Sequence, residues 1–226
     1  FIEPGDGYLA CGYVAKGRME EPLQIVSVMN QFFNNDAVST DSSFSGKRAL
    51  VTAGPTVEVI DPVRYVTNRS SGKMGFAIAE ALREKGAEVT LVTGPTQLTD
   101  PKGINVIHVQ SAEDMFNAVK ERYNAQDIIF KAAAVSDYTP SEVLDHKMKK
   151  REGDLSVTFK RTTDILKNLG DNKKHQYLVG FAAETQNIEA YAQDKLARKN
   201  ADVIISNNVG DQSIGCLLYT SPSPRD

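Results

Sequence analysis

The sequence predicts an α/β chain, a parallel sheet with helices on both faces whose C-terminal part is missing. Three observations carry that expectation. Short apolar runs rich in β-branched residues recur at 48–52, 87–93, 104–109, 127–133, 177–182 and 202–206, and strands apolar along their whole length are those buried on both sides. Stretches with helical spacing of apolar residues stand between them, at 74–85, from 111, at 163–169 and at 188–200. Repeated strand–helix alternation closes into a parallel sheet, with ligands bound outside the carboxyl ends of its strands.

Residues 1–33 read as a loop punctuated by Gly5, Gly7, Gly12 and Gly17, followed by a helix that Pro22 can start. The polar, unpatterned stretch 34–46 reads as a linker between the end of one domain and the start of another. The stretch KRALVTAGPTVEVIDPVRYVTNRSSGKMG, 47–75, organises the rest of the chain. A strand ends in Ala53-Gly54-Pro55-Thr56, a loop comes next, and Ser70-Ser71-Gly72-Lys73-Met74-Gly75 opens a helix whose apolar positions include Phe76, Ile78, Ala79 and Leu82. Free N–H groups at such a helix start form an anion site, so phosphate or a phosphorylated small molecule is the first ligand expected there. The GxGxxG dinucleotide fingerprint and the GxxxxGK[ST] phosphate loop are both absent.

The second strand is closed by Gly94-Pro95, and Ser111 to Asp114 begins a helix as a capping box. The fourth strand leads into Ala134-Val135-Ser136-Asp137-Tyr138, a lysine-rich polar segment covers 140–154, and 155–159 alternates like an exposed strand. The parallel-sheet rule gathers Gly54, Gly94, 133–137, 181–184 and Asn207-Asn208 on one rim.

Net charge of −3 excludes a global basic field for nucleic acid, and no apolar run is long enough to span a bilayer. Cys11 and Cys216 offer neither a disulfide framework nor metal-ligand spacing, and a reducing cytoplasm is the default location. The chain starts at Phe1, so the natural N-terminus is expected to be missing. Residues 216–226, CLLYTSPSPRD, read as an in-frame translation of a transposon-type sequencing adapter, and are excluded from the fold.

Several side chains can carry chemistry. Lys147, Lys149 and Lys150, with Arg151 beside them, either close over a polyphosphate or form a solvated basic loop. Lys195 and Lys199 lie four apart, so both ammonium groups leave one helix face; this suits two phosphates and is also common on exposed helices. Asp137 can accept from a base or ribose, or act as a turn aspartate. Asn68 can orient a carbonyl or stabilise an oxyanion, or cap the loop before the helix.

The ordered stretches TAGPTVEVIDPVRYVTNRSSGKMG, AAAVSDY, HKMKK, VGFAAET and ARKNADVIISNNV make residues 47–215 closely resemble the phosphopantothenoylcysteine synthetase half of the bacterial bifunctional coenzyme A biosynthesis protein. Residues 1–33, with YLACGYVAKGRMEEPLQIV, look like the end of its partner half, the flavin-dependent decarboxylase. The resemblance implies a Rossmann-like fold and a two-step ligation. CTP and 4′-phosphopantothenate give an acyl-cytidylate and pyrophosphate with Mg²⁺ present, and cysteine then displaces CMP. It further implies that Lys147 assists cytidylate formation and that Asn68 serves substrate binding and the cysteine step. Lys131, Ala132, Ala133, Asp137, Lys147, Thr163, Asp164, Ile165, Leu166, Phe181, Lys195 and Lys199 match nucleotide-contacting positions, and Arg64 would meet the pantothenate or its phosphate. Cys11 matches the decarboxylase's catalytic cysteine, idle without the flavin-binding parts, so FMN belongs only to the missing domain. The family dimerises through the ligase domain, with a larger assembly in the intact protein.

Two rivals stand beside this reading. A nucleotide-binding module without chemistry predicts that Lys147→Gln changes affinity only. An NAD(P)-dependent reductase would use a Tyr-x-x-x-Lys pair, a spacing that Tyr191 and Lys195 satisfy, but it lacks its glycine fingerprint.

Overall fold

A computed structural model of the chain describes residues 5–8, 14–18, 21–33, 43–150, 153–184 and 188–208. In chain order the elements are β1 (Gly5–Tyr8), β2 (Val14–Arg18), α1 (Pro22–Phe33), β3 (Arg48–Ala53), β4 (Val57–Val59), β5 (Tyr65–Thr67), α2 (Lys73–Glu84), β6 (Glu88–Thr93), β7 (Asn105–His108), α3 (Ala112–Arg122), β8 (Ile128–Lys131), β9 (Tyr138–Pro140), β10 (Phe159–Arg161), α4 (Ile165–Asp171), β11 (Tyr177–Glu184), α5 (Ile188–Arg198) and β12 (Val203–Asn208).

Six strands form one sheet in the order β12-β11-β8-β3-β6-β7, and every neighbouring pair is parallel. The chain runs outward from β3 through β6 and β7, then returns to the other side of β3 with β8. This is the Rossmann-like α/β arrangement expected, and its switch point falls between β3 and β8.

Period-two alternation distributes the side chains. Ala49, Val51 and Ala53 of β3 join Ile128 and Phe130 of β8 on one face, under Phe76, Ile78, Ala79 and Leu82 of α2. Leu50 and Ile129 point to the other face, with Met115 and Val119 of α3 and Ile165 and Leu169 of α4. Leu166, Ala182, Ala192 and Ile204 extend that face under α5. With both faces covered, the strands are apolar without interruption, as the sequence has them.

The capping box at Ser111 is present: its hydroxyl accepts from Asp114 N at 3.1 Å, and Asp114 Oδ2 accepts from Ser111 N at 2.9 Å.

Other elements differ from expectation. Residues read as an N-terminal loop include the antiparallel ribbon β1–β2. The loop between β3 and α2 contains the antiparallel hairpin β4–β5, too short and irregular in pattern to announce itself. The exposed strand expected over 155–159 lies later, at β10, where it pairs antiparallel with β9 outside the main sheet. The stretch read as a linker ends inside the fold. Phe44 is 1% exposed, and its N–H donates to the Lys85 carbonyl at 3.0 Å. Ile25, Val26 and Met29 of α1 share the core of the α2 face, so α1 packs on this sheet.

Candidate active site

Alternation along β8 determines where Lys131 goes. Ile129 faces the α3–α4 layer, so Lys131, two residues on, leaves the sheet on that same face at the carboxyl edge. Its neighbours in register are Thr52 on β3 and Gly180 on β11. A cavity of about 310 Å³ opens there. Of the expected nucleotide positions, Lys131, Asp137, Thr163, Asp164, Ile165, Leu166, Phe181, Lys195 and Lys199 line it. Sequence reasoning missed Val135, Thr162, Asp194 and Arg198, which complete the lining. Asp194 and Arg198 each directly precede one of the two expected lysines, Lys195 on α5 and Lys199 just past its end, and that spacing was the available signal.

The local geometry comes from helix ends. Asp164 caps α4, its carboxylate accepting from Lys167 N at 2.9 Å. The same carboxylate pairs with Lys199 across the cavity. Lys199 reaches it because α4 and the end of α5 are in backbone contact: a Cβ on Gly170 would lie 1.8 Å from the Lys199 carbonyl oxygen. Asn200 then turns left-handed, at φ 48°, with its amide donating to the Gly170 carbonyl at 2.9 Å. Lys195 donates to the Phe181 carbonyl at 3.0 Å, and Arg198 pairs with Asp194 at 2.6 Å.

Burial pushes the Lys131 ammonium down to about 8, helped by the Lys195 charge and opposed by Asp164 and Asp137. Its Nζ donates to the Ala133 carbonyl at 3.2 Å. Burial alone would raise the Asp164 carboxyl; the bonds from Lys199 and Lys167 and the charges of Lys199 and Lys131 instead hold it below its ordinary value. Four cationic side chains and three carboxylates therefore line one pocket, an arrangement that can bind a polyanion by exchanging internal partners for phosphate oxygens.

The remaining expected residues lie outside this lining. Ala132 and Ala133 come directly after β8, where Ala133 N donates to Thr52 Oγ1 at 3.2 Å. Asn68 donates to the Ala134 carbonyl at 3.1 Å, which ties it to the same loop. Arg64 is 39% exposed and pairs with Asp61 at 2.7 Å. Lys147 is exposed on the segment after Leu144. Cys11, Arg151 and residues 216–226 lie outside the described residues. The start of α2, where phosphate was first expected, contributes no residue to the cavity; Gly72 N and Lys73 N already donate to the hydroxyls of Ser70 and Ser71.

Among the described residues no group of three or more His, Cys, Asp or Glu can hold a metal ion, and no helix is long and apolar enough to cross a membrane.

Residues 44–218 match the model of the DNA/pantothenate metabolism flavoprotein C-terminal domain. The chain is 56% identical over 216 residues to the coenzyme A biosynthesis bifunctional protein CoaBC of Bacillus subtilis (strain 168), covering 95% of this chain and 52% of that protein. Its identity to the CoaBC of Haemophilus influenzae is 47% over 209 residues, covering 92% of this chain and 51% of the relative. The chain thus spans about half the length of these relatives. The crystal structure of the C-terminal domain of a CoaBC superposes with a TM-score of 0.66 at 51% identity, covering 74% of this chain and 79% of that one.

Proposed function

Because this chain belongs to the DNA/pantothenate metabolism flavoprotein C-terminal domain family, we propose that it joins cysteine to 4′-phosphopantothenate at the expense of CTP, a ligation in coenzyme A biosynthesis. The observation that carries the reading is the cavity holding Lys131, Asp137, Asp164, Lys195 and Lys199 at the carboxyl edge, beside the switch point. The names of the bifunctional relatives support the pathway.

In the first step a substrate carboxylate oxygen attacks the α-phosphorus of CTP, and the bond to pyrophosphate breaks. Lys195 and Lys199 neutralise phosphate charge, and Lys199 exchanges Asp164 for a phosphate oxygen as it does so. Lys131 adds a third cation at the floor, while Asp137 offers its carboxylate to a donor on the base or ribose. Lys147 stabilises the charge that develops on the leaving group. In the second step the cysteine amine attacks the acyl carbon, loses a proton and expels CMP. Asn68, held beside Ala134, is suited to orient the acyl oxygen through its amide. Arg64 serves the phosphate or pantothenate part of the acid.

Among the described residues no three carboxylate, histidine or cysteine side chains group as a metal cage, so Mg²⁺ would enter on the nucleotide phosphates. Such an ion would screen the triphosphate charge. We further propose a homodimer, supported by exposed Val63, Tyr65, Val66, Tyr138, Val143 and Phe159 on and around the two small ribbons. The parent protein would add the FMN-dependent decarboxylation.

Pyrophosphate release by the chain with phosphopantothenate and Mg²⁺, CTP against ATP, tests the reading. Release with CTP and sustained turnover only with cysteine are expected. A folded chain that binds CTP and releases no pyrophosphate would leave the binding-module reading in its place.

A further inference from the structure

The segment that carries Lys147 has no helix or strand of its own between Ser141 and Lys150. Something else must hold it. Ser141 N donates to the Thr158 carbonyl at 2.9 Å, and beyond Ser141 the segment's backbone anchors come from one turn, the connection between β4 and β5. Leu144 N donates to the Ile60 carbonyl at 3.0 Å. Met148 N donates to Asp61 Oδ2 at 3.1 Å. The Met148 carbonyl accepts from Arg64 Nη1 and Nη2, each at 3.2 Å.

Asp61 is the centre of this contact. It is 1% exposed, and it also accepts from Val63 N and Arg64 N, both at 2.8 Å, and from Arg64 Nη1 at 2.7 Å. A buried carboxylate with this many donors is fully satisfied only when Met148 is docked. Undocking leaves one of its bonds unmade and frees the Arg64 guanidinium from a carbonyl, so the pair resists release of the segment. The Asp61-Pro62 step is the sequence trace of this turn, aspartate at the first position and proline at the second.

We propose that Asp61, through Arg64 and the Met148 backbone, is a positioning residue that latches the Lys147 segment onto the β4–β5 turn. Asp61 touches no reacting atom. It acts through Lys147, the residue before the latched Met148, and Arg64 braces the same latch by its bonds to Asp61 and to the Met148 carbonyl. The inference rests on the ligase reading only for the chemistry assigned to Lys147; the latch itself is a property of the fold.

Limited trypsinolysis of the full chain, with cut sites identified by mass spectrometry, tests it. Cleavage after Lys147, Lys149 and Lys150 is compared with cleavage after exposed Lys102 in the same digest. Asp61→Asn keeps the shape and removes the charge, and is expected to speed the segment cuts about tenfold relative to the Lys102 cut. Met148→Pro removes the N–H from the other side of the contact and should speed the cuts after Lys149 and Lys150 likewise. An equal rise at every site, or none at the segment, overturns the latch.

Pyrophosphate release supplies the second readout. Asp61→Asn should lower kcat with the KM for CTP unchanged, and should cost nothing more in a Lys147→Gln background. Additive losses in the double variant overturn the positioning role. If Lys147→Gln alone leaves release intact, the role of that lysine fails, while the digest still decides on the latch.

Discussion

Lys131 is a half-buried cation at the carboxyl edge of the sheet. Its ammonium is pushed down from 10.5 to about 8, so the unfolded chain binds more protons than the folded one between those two values. Stability contributed there is present above the unfolded value and lost as pH falls through the folded one. A bound polyanion reverses the preference and favours the ammonium. Nucleotide binding is therefore expected to take up a proton near and above pH 8, with affinity falling as pH rises past that value. Calorimetry in buffers of different ionisation heat measures the uptake, and Lys131→Met should abolish it. Asp61 has the same sign in a more acidic window. Burial would raise its carboxyl, but bonds from Met148, Val63 and Arg64 and the Arg64 charge hold it below 3.8, so its contribution persists above that value and is lost only in stronger acid. Lys147 has no partner to lose among the described residues. Lys147→Gln should leave the melting temperature unchanged and reduce the rate of pyrophosphate release by about 10²- to 10³-fold.

At the scale of elements, the decisive contacts are between helix ends and strand ends. A Cβ at Gly94 would meet the Pro55 carbonyl oxygen at 1.7 Å, so the loops after β3 and β6 touch backbone to backbone where the rim is built. The Phe44 turn is a second such contact. The phenyl ring is buried under α2 and the sheet, and Phe44→Ala should destabilise the chain by about 3–5 kcal/mol in denaturant unfolding. An unchanged unfolding midpoint would mean that the 34–46 stretch is a linker to its end. The β4–β5 and β9–β10 ribbons have too few residues for a core of their own, and β4 lies against β9. They depend on each other and on the turn at Asp61.

Over the whole molecule, polarity is local. Net charge is −3, yet Lys131, Lys195, Arg198 and Lys199 gather in one cavity, so the proposed nucleotide would meet the local charge of the site and not the overall field. Apolar surface is local too: Tyr65 is 59% exposed and Tyr138 49% exposed. Tyr65→Glu is expected to convert the proposed homodimer to monomer in sedimentation, while the parent chain sediments as a dimer. A parent that sediments as a monomer contradicts the assembly.

The sequence by itself determined the layered α/β class and the position of nearly every strand and helix of the main sheet, because each is a local pattern of apolar spacing and caps. It also pointed to the Lys195–Lys199 pair and the Asp137 loop, since helical spacing and strand ends are legible residue by residue. Only the tertiary structure decided that α1 and Phe44 belong to the core and that β10 pairs with β9. Only there does Lys199 turn inward to Asp164, and only there does Asp61 hold Met148, 87 positions away in sequence. The physical reason is the same in each case. Periodicity records which side of an element is apolar, whereas burial of a short irregular segment and the pairing of distant charges depend on what the fold brings opposite them.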